Sequence, residues 1–94
     1  MKNTMLNAYT AEDIRRKQSA GRRYIIEKVF EEIGRRIEDA ANNNYHGVQV
    51  SFDDRSFKKF YIDRDVIRSL QNRFETLNFY VHVSKIRRYI LIQW

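Results

Sequence analysis

From Ile26 to Ala41 the apolar residues Ile26, Val29, Phe30, Ile33, Ile37, Ala40 and Ala41 recur at spacings of three and four, the pattern of a helix with one buried stripe. Asn42-Asn43-Asn44 ends it. Upstream, Thr10 precedes Glu12 and Asp13, so a helix begins there with an N-cap and with carboxylates in its first turn. One unbroken helix over 11–41 would be roughly 45 Å long, against about 30 Å for the breadth of a compact domain of 94 residues. Either the helix breaks near Ser19-Ala20-Gly21, or its first turns project and pack on another copy of the chain.

Downstream the period changes to two. Val48, Val50 and Phe52 alternate with Gln49 and Ser51, which predicts a half-buried strand, and Asp53-Asp54-Arg55-Ser56 reads as a turn. Phe57 to Ile62 reads either as a loop or as a short returning strand. Asp63 caps a second helix, stapled by Ile62 and Ile67, whose buried face is Val66, Ile67, Leu70, Phe74 and Leu77 and which ends near Asn78. Phe79, Val81 and Val83 alternate with Tyr80, His82 and Ser84, and a turn at Lys85-Ile86-Arg87 leads to a last strand, Tyr89 to Trp94.

The expected architecture is a two-layer α/β (α+β) domain of order α-β-α-β-β. The strand–helix–strand unit calls for a parallel crossover, hence a small mixed sheet with both helices on one face. The other face holds one set of each alternation, Tyr80 and His82 or their neighbours. Were it also to carry Ile90, Ile92 and Trp94, it would need a ligand or second chain as cover. One domain spans 1–94, with residues 1–9 expected as a flexible N-terminal segment.

The formal charge of +6 is unevenly spread: six Lys/Arg face two acids in residues 1–23, three face five in 24–47, and nine face five in 48–94. Extended backwards by helical geometry, the stripe of Val29 and Ile33 runs through Arg22, Ser19 and Arg15, with Arg23 and Arg16 on its border. A face that turns from apolar to cationic cannot be ordinary core, because an unpaired buried charge is costly. Three readings stay open: a solvated overhang, a groove where guanidinium forks grip phosphate, or a contact with acids of another subunit. A second basic cluster, Lys85, Arg87 and Arg88, lies at the hairpin turn, and Lys58 and Lys59 sit among Phe57, Phe60 and Tyr61. Cations interleaved with aromatics suit base stacking and phosphate contact; edge protection and core packing are the plainer alternatives.

The absence of cysteine excludes disulfides and thiolate metal sites and accords with a cytoplasmic location. No long apolar run predicts a membrane span. No Gly-rich phosphate loop, cysteine nucleophile or paired-histidine spacing is present, so neither a metal nor another cofactor is expected and the chain reads as a non-enzyme. His46 and His82 stand alone in sequence, and the acidic pairs Glu31-Glu32, Glu38-Asp39, Asp53-Asp54 and Asp63/Asp65 fall on helix exteriors, turns or a cap. His82 beside Tyr80 on one strand face is a candidate ligand contact.

Thr10-Ala11-Glu12-Asp13, Ala40-Ala41 with Asn42 to Asn44, Val48-x-Val50, Leu70 through Phe79-x-Val81, and the closing Ile92-Gln93-Trp94 follow one another in an order that resembles small α-β-α-β-β proteins of bacteriophages. The stretch Asp53 to Tyr61 is longer than in that pattern. The resemblance implies phage origin, a host-cytoplasm setting and a compact α/β fold, and it carries over no catalytic residue.

The expected function is capture of an anionic, phosphate-bearing ligand, such as a nucleotide immune signal sequestered in an anti-defence role, within a homo-oligomer and away from membranes. The candidate ligand-binding residues are Arg15, Arg16, Ser19, Arg22, Arg23, Tyr80, His82, Lys85, Arg87 and Arg88. The alternatives are nucleic-acid binding through the same basic surfaces, and a virion component or host-protein inhibitor acting through protein contacts.

Overall fold

The computed structural model describes residues 10–94; the segment 1–9, expected to be flexible, lies outside the described residues. The order is α1 (Ala11–Asn42), β1 (Gly47–Ser51), a 3-10 turn (Arg55–Phe57), α2 (Arg64–Thr76), β2 (Tyr80–Ser84) and β3 (Tyr89–Gln93). This is the α-β-α-β-β arrangement that the periodicities predict, with the ambiguous segment after β1 forming a 3-10 turn in place of a strand.

Helix α1 starts at a complete capping box: the Thr10 hydroxyl accepts from the Asp13 N–H at 3.1 Å, and the Asp13 carboxylate accepts from the Thr10 N–H at 3.2 Å. It then runs unbroken for 32 residues, because the chain has no proline to interrupt the ladder and each of its two glycines, Gly21 and Gly34, costs only about 1 kcal/mol. Of the two alternatives for this helix, projection is the one realised. Ala11 to Gly21 are exposed apart from Asp13, and the molecule measures 59 × 25 × 24 Å.

Both helices stop in the same way. Asn44 adopts φ 64°, its N–H donates to Ala41 O at 3.0 Å, and the Tyr45 N–H donates to Ala40 O at 2.9 Å. After α2, Asn78 adopts φ 72°, its N–H donates to Glu75 O at 2.9 Å, and the Phe79 N–H donates to Phe74 O at 3.1 Å. These are Schellman closures, with asparagine where the left-handed backbone disfavours most side chains. The second closure carries the usual apolar clasp, since the Phe79 ring meets Phe74 edge-on at 5.9 Å. It also corrects one expectation: Leu77, assigned to the buried face of α2, is 55% exposed. It is the C-cap, where the chain has already turned, and Phe79 takes the inward place.

The sheet order is β1-β3-β2, and both pairings are antiparallel. The expected mixed sheet is thus corrected. β1 and β2 do run parallel to each other across the α2 crossover, but β3 folds back from its hairpin and occupies the space between them. In register, Val48, Ile92 and Val81 align on one face, as do Val50, Ile90 and Val83. That face joins Val29 and Ile33 of α1 and Val66, Leu70 and Phe74 of α2 in a single core. Ile90 and Ile92 are fully buried there, so the outer face does not carry them and is not apolar.

The connection from β1 to α2 is pinned at both ends. Phe52, Phe57 and Ile62 enter the core, while Arg36 bonds Glu32, Asp54 and Ser56 and lies over the Phe57 ring at 5.2 Å. Ser56 N–H donates to Asp54 at 2.9 Å; that bond and the Arg36 guanidinium hold the Asp54 carboxyl below the ordinary carboxylate range. Bonding to Thr10 does the same for Asp13.

Asn78→Ala will lower stability by about 1 kcal/mol in urea unfolding, because alanine must enter the left-handed region, whereas Asn78→Gly will not. The lowered carboxyls at Asp13 and Asp54 contribute above their unfolded value of 3.8 and lose that contribution as pH falls through their folded values. Amide exchange at Thr10 and Ser56 should therefore quicken below about pH 4 beyond the intrinsic pH trend, and Asp54→Asn should remove the extra dependence at Ser56. Protection unaffected by acid would refute the assignment.

Candidate functional site

The ten residues singled out from the sequence fall into three separate places. Arg15, Arg16, Ser19, Arg22 and Arg23 lie along the projecting half of α1. Arg22, the one nearest the body, has carboxylates for partners: it reaches Asp63 at 3.7 Å and Asp65 at 4.0 Å, at the start of α2. Arg16 pairs with Asp13 one turn back. Arg15 and Arg23 are exposed and form no ion pair among the described residues. Tyr80 and His82 stand on the outer face of the sheet, beyond the strands from the helices.

Lys85, Arg87 and Arg88 form the β2–β3 turn, and two of them join a groove that the sequence reading did not assemble. Tyr61, Ile62 and Asp63 lead into α2; Arg64, Ile67, Arg68 and Gln71 form one side of that helix; Val83, Lys85 and Arg88 belong to the hairpin. Together they line a groove of about 500 Å3, within the size range of small-molecule sites. Ile62 and Ile67 are buried beneath it, and the Tyr61 ring stands at its edge, 80% exposed.

Local sequence explains the geometry. Arg64, Arg68 and Gln71 keep the four-and-three spacing of one helix face, adjoining the apolar stripe of Val66, Ile67, Leu70 and Phe74. The stripe docks the helix on the sheet and so turns its flank toward the hairpin. Asp63 caps α2, its carboxylate accepting from the Val66 N–H at 2.9 Å, and it faces Arg22 with its other oxygen. The one acid of the groove is therefore engaged elsewhere.

Arg88 is also committed. It sits at φ 53°, donates to Asp53 at 3.0 Å and to the Ile62 carbonyl at 3.2 Å, and its own carbonyl accepts from the Phe52 N–H at 2.9 Å. It ties the hairpin to both ends of the long connection. Arg64, Arg68 and Lys85 have no ion-pair partner among the described residues.

The three aromatics before α2 part company. Phe57 is core, Phe60 is half-buried against Tyr24 with Lys59 above it at 5.3 Å, and only Tyr61 is fully presented. The acidic pairs mostly take structural partners: Glu32 bonds Arg35 and Arg36, Asp53 bonds Arg88, and Asp54 bonds Arg36. A smaller crevice of about 260 Å3 beneath the overhang of α1 shares Tyr61 and Asp63 with the groove.

The arrangement can hold an anion against Arg64, Arg68 and Lys85 while a planar or apolar portion lies on Ile62, Ile67 and Tyr61. Arg64, Arg68 and Tyr61 were missed as a set. The signal available was the Arg64–Arg68 spacing beside an apolar stripe, but nothing local says that the hairpin comes to face it. Comparison with protein-family models, with curated proteins and with solved structures gives no match. Among the described residues no helix is long and apolar enough to cross a membrane.

Arg88→Ala should lower stability by about 1 kcal/mol, since two charge-assisted bonds are lost at a half-exposed position. Arg87→Ala, with no side-chain bond among the described residues, should stay within about 0.5 kcal/mol. Equal effects in chemical unfolding would rule out the tether.

Proposed function

We propose that the chain is a non-enzymatic binding protein that holds a phosphate-bearing ligand of nucleotide size in the groove between α2 and the β2–β3 hairpin. The observation that carries this reading is the convergence of Arg64, Arg68 and Lys85 on one concavity without acidic partners among the described residues. Like charges facing one space repel, and an anion bound among them turns that repulsion into attraction. Guanidinium groups one helical turn apart offer paired donors to phosphate oxygens. Arg64 also occupies the first turn of α2, where a cation opposes the helix dipole and a bound anion would offset it.

Tyr61 supplies an open aromatic face for a base, and Ile62, Ile67 and Val83 supply an apolar floor for base or sugar. Capture of this kind acts by mass action, with abundance and affinity in place of turnover. In the phage setting that the sequence resemblance implies, the ligand would be a nucleotide signal in the host cytoplasm, and the role anti-defence. Self-association belongs to the same proposal: Ala11 and Ile14 lie on the uncovered side of the α1 overhang, Ile14 being 50% exposed, and a second copy would cover them.

Calorimetric titration with mononucleotides, linear and cyclic dinucleotides, and pyrophosphate tests the groove. At least one should bind, and Arg64→Glu with Arg68→Glu should weaken it by about 100-fold or more, from the loss of two charge-assisted contacts. Arg15→Glu with Arg23→Glu makes the same change in net charge on the overhang and should alter affinity by less than about threefold at physiological salt. Equal loss in both double variants would show a diffuse electrostatic effect and end the groove reading. Sedimentation as a monomer at tens of micromolar would end the self-association part.

A further inference from the structure

The outer face of the sheet lies across the three strands from the floor of the groove, and only Lys85, on the hairpin turn, is common to both. Register places Ser51, Tyr89 and Ser84 in one row across it, Gln49, Leu91 and His82 in the next, and Gly47, Gln93 and Tyr80 in the third. No helix covers these rows, since both helices pack on the opposite side with Ile90 and Ile92. Nothing on the outer face is a carboxylate, although the chain has twelve acidic residues. The face is composed of aromatic rings, amides and hydroxyls around one leucine.

Two of those rings, Tyr80 and His82, are exposed, and the third, Tyr89, is half-buried. Tyr80 is 75% exposed and makes no hydrogen bond or ring contact among the described residues. His82 is exposed, two residues further along β2, and its ring lies 6.2 Å from that of Tyr89 on the central strand. Alternate residues of one strand are about 7 Å apart, too wide for two bases stacked on each other but suited to two splayed bases, each on its own ring. The row of Tyr89 leads directly into the hairpin turn, where Lys85 and Arg87 have no ion pair among the described residues.

We propose that this face binds single-stranded nucleic acid, with bases stacked on Tyr80, His82 and Tyr89, base edges meeting Gln49 and Gln93, and the backbone passing toward Lys85 and Arg87. A surface of exposed Tyr80 and His82 beside half-buried Tyr89, without carboxylates, favours a flat, polyanionic partner. Stacking accepts any base, and cations at the end of the face attract phosphate. A protein partner would call for an apolar centre, and Leu91 alone does not make one. A duplex keeps its bases stacked and cannot use the rings. Deoxyribose and ribose strands share this chemistry, and the experiment distinguishes them.

Fluorescence anisotropy with labelled oligo-dT and oligo-rU of roughly 12 nucleotides, and a duplex of equal length, tests the face. The single strands should bind and the duplex should bind less tightly; the tighter of the two single strands identifies the natural sugar. Tyr80→Ala with His82→Ala should weaken single-strand binding by about 10- to 100-fold, with unchanged melting because both side chains are exposed. Gln49→Glu should weaken binding and Gln49→Lys strengthen it, an opposition in sign that a purely structural role would not produce. The groove variant Arg64→Glu with Arg68→Glu should lose nucleotide binding yet retain the dependence on Tyr80 and His82, so the two proposals fail separately. Wild-type affinity in Tyr80→Ala with His82→Ala, duplex binding as tight as single-strand binding, or no single-strand binding at low salt would each overturn the proposal. So would an oligomer that Tyr80→Ala with His82→Ala dissociates, which would make the face a contact between copies.

Discussion

Val29 and Ile33, one turn apart on α1, are fully buried in one core with the strand residues Val50, Ile90 and Ile92, and the rest of the molecule depends on that docking. Each such side chain removed from water is worth about 1.5 to 3 kcal/mol, and a chain of this length buries few of them. The contact fixes which face of α1 looks at the sheet. It thereby fixes which residues of the same face, Arg15, Ser19 and Arg22, hang beyond the sheet edge on the projecting turns. The overhang follows directly: a helix of 32 residues docked by its second half must leave its first half uncovered.

The same economy shapes the cations. Arg22, Arg36 and Arg88 are drawn into ion pairs that hold separate segments together: α1 to α2, α1 to the connection after β1, and the hairpin to both ends of that connection. What these pairs leave behind is a set of cations on the flank of α2 and on the hairpin turn. The groove is basic because the neighbouring carboxylates are already engaged: Asp63 by the helix cap and Arg22, and Asp53 by Arg88.

The asparagines at 44 and 78 show how closely a local choice is coupled to packing. Each takes a left-handed conformation, and each closure turns the chain back toward the sheet. At Asn78 this exchanges Leu77 for Phe79 as the inward residue, a swap that helical periodicity could not foresee because the helix has already ended there. Similarly, the alternation of β2 and β3 was legible, but whether odd or even residues faced the helices was not. Register with β1 decides it, and puts Ile90 and Ile92 inside and Tyr89, Leu91 and Gln93 outside.

By itself the sequence determined the elements and their order, the start of α1 at Thr10, the cap at Asp63 and the staple of Ile62 and Ile67, because these rest on interactions spanning only a few residues. It also determined the uneven spread of charge, with the surplus of cations outside residues 24–47. The tertiary structure alone decided that β3 lies between β1 and β2, that Arg22 finds its partners in Asp63 and Asp65, and that Arg64 and Arg68 face Lys85. The physical reason is that these pairings join residues remote along the chain, and their geometry exists only after the apolar stripes of both helices have settled on one face of the sheet.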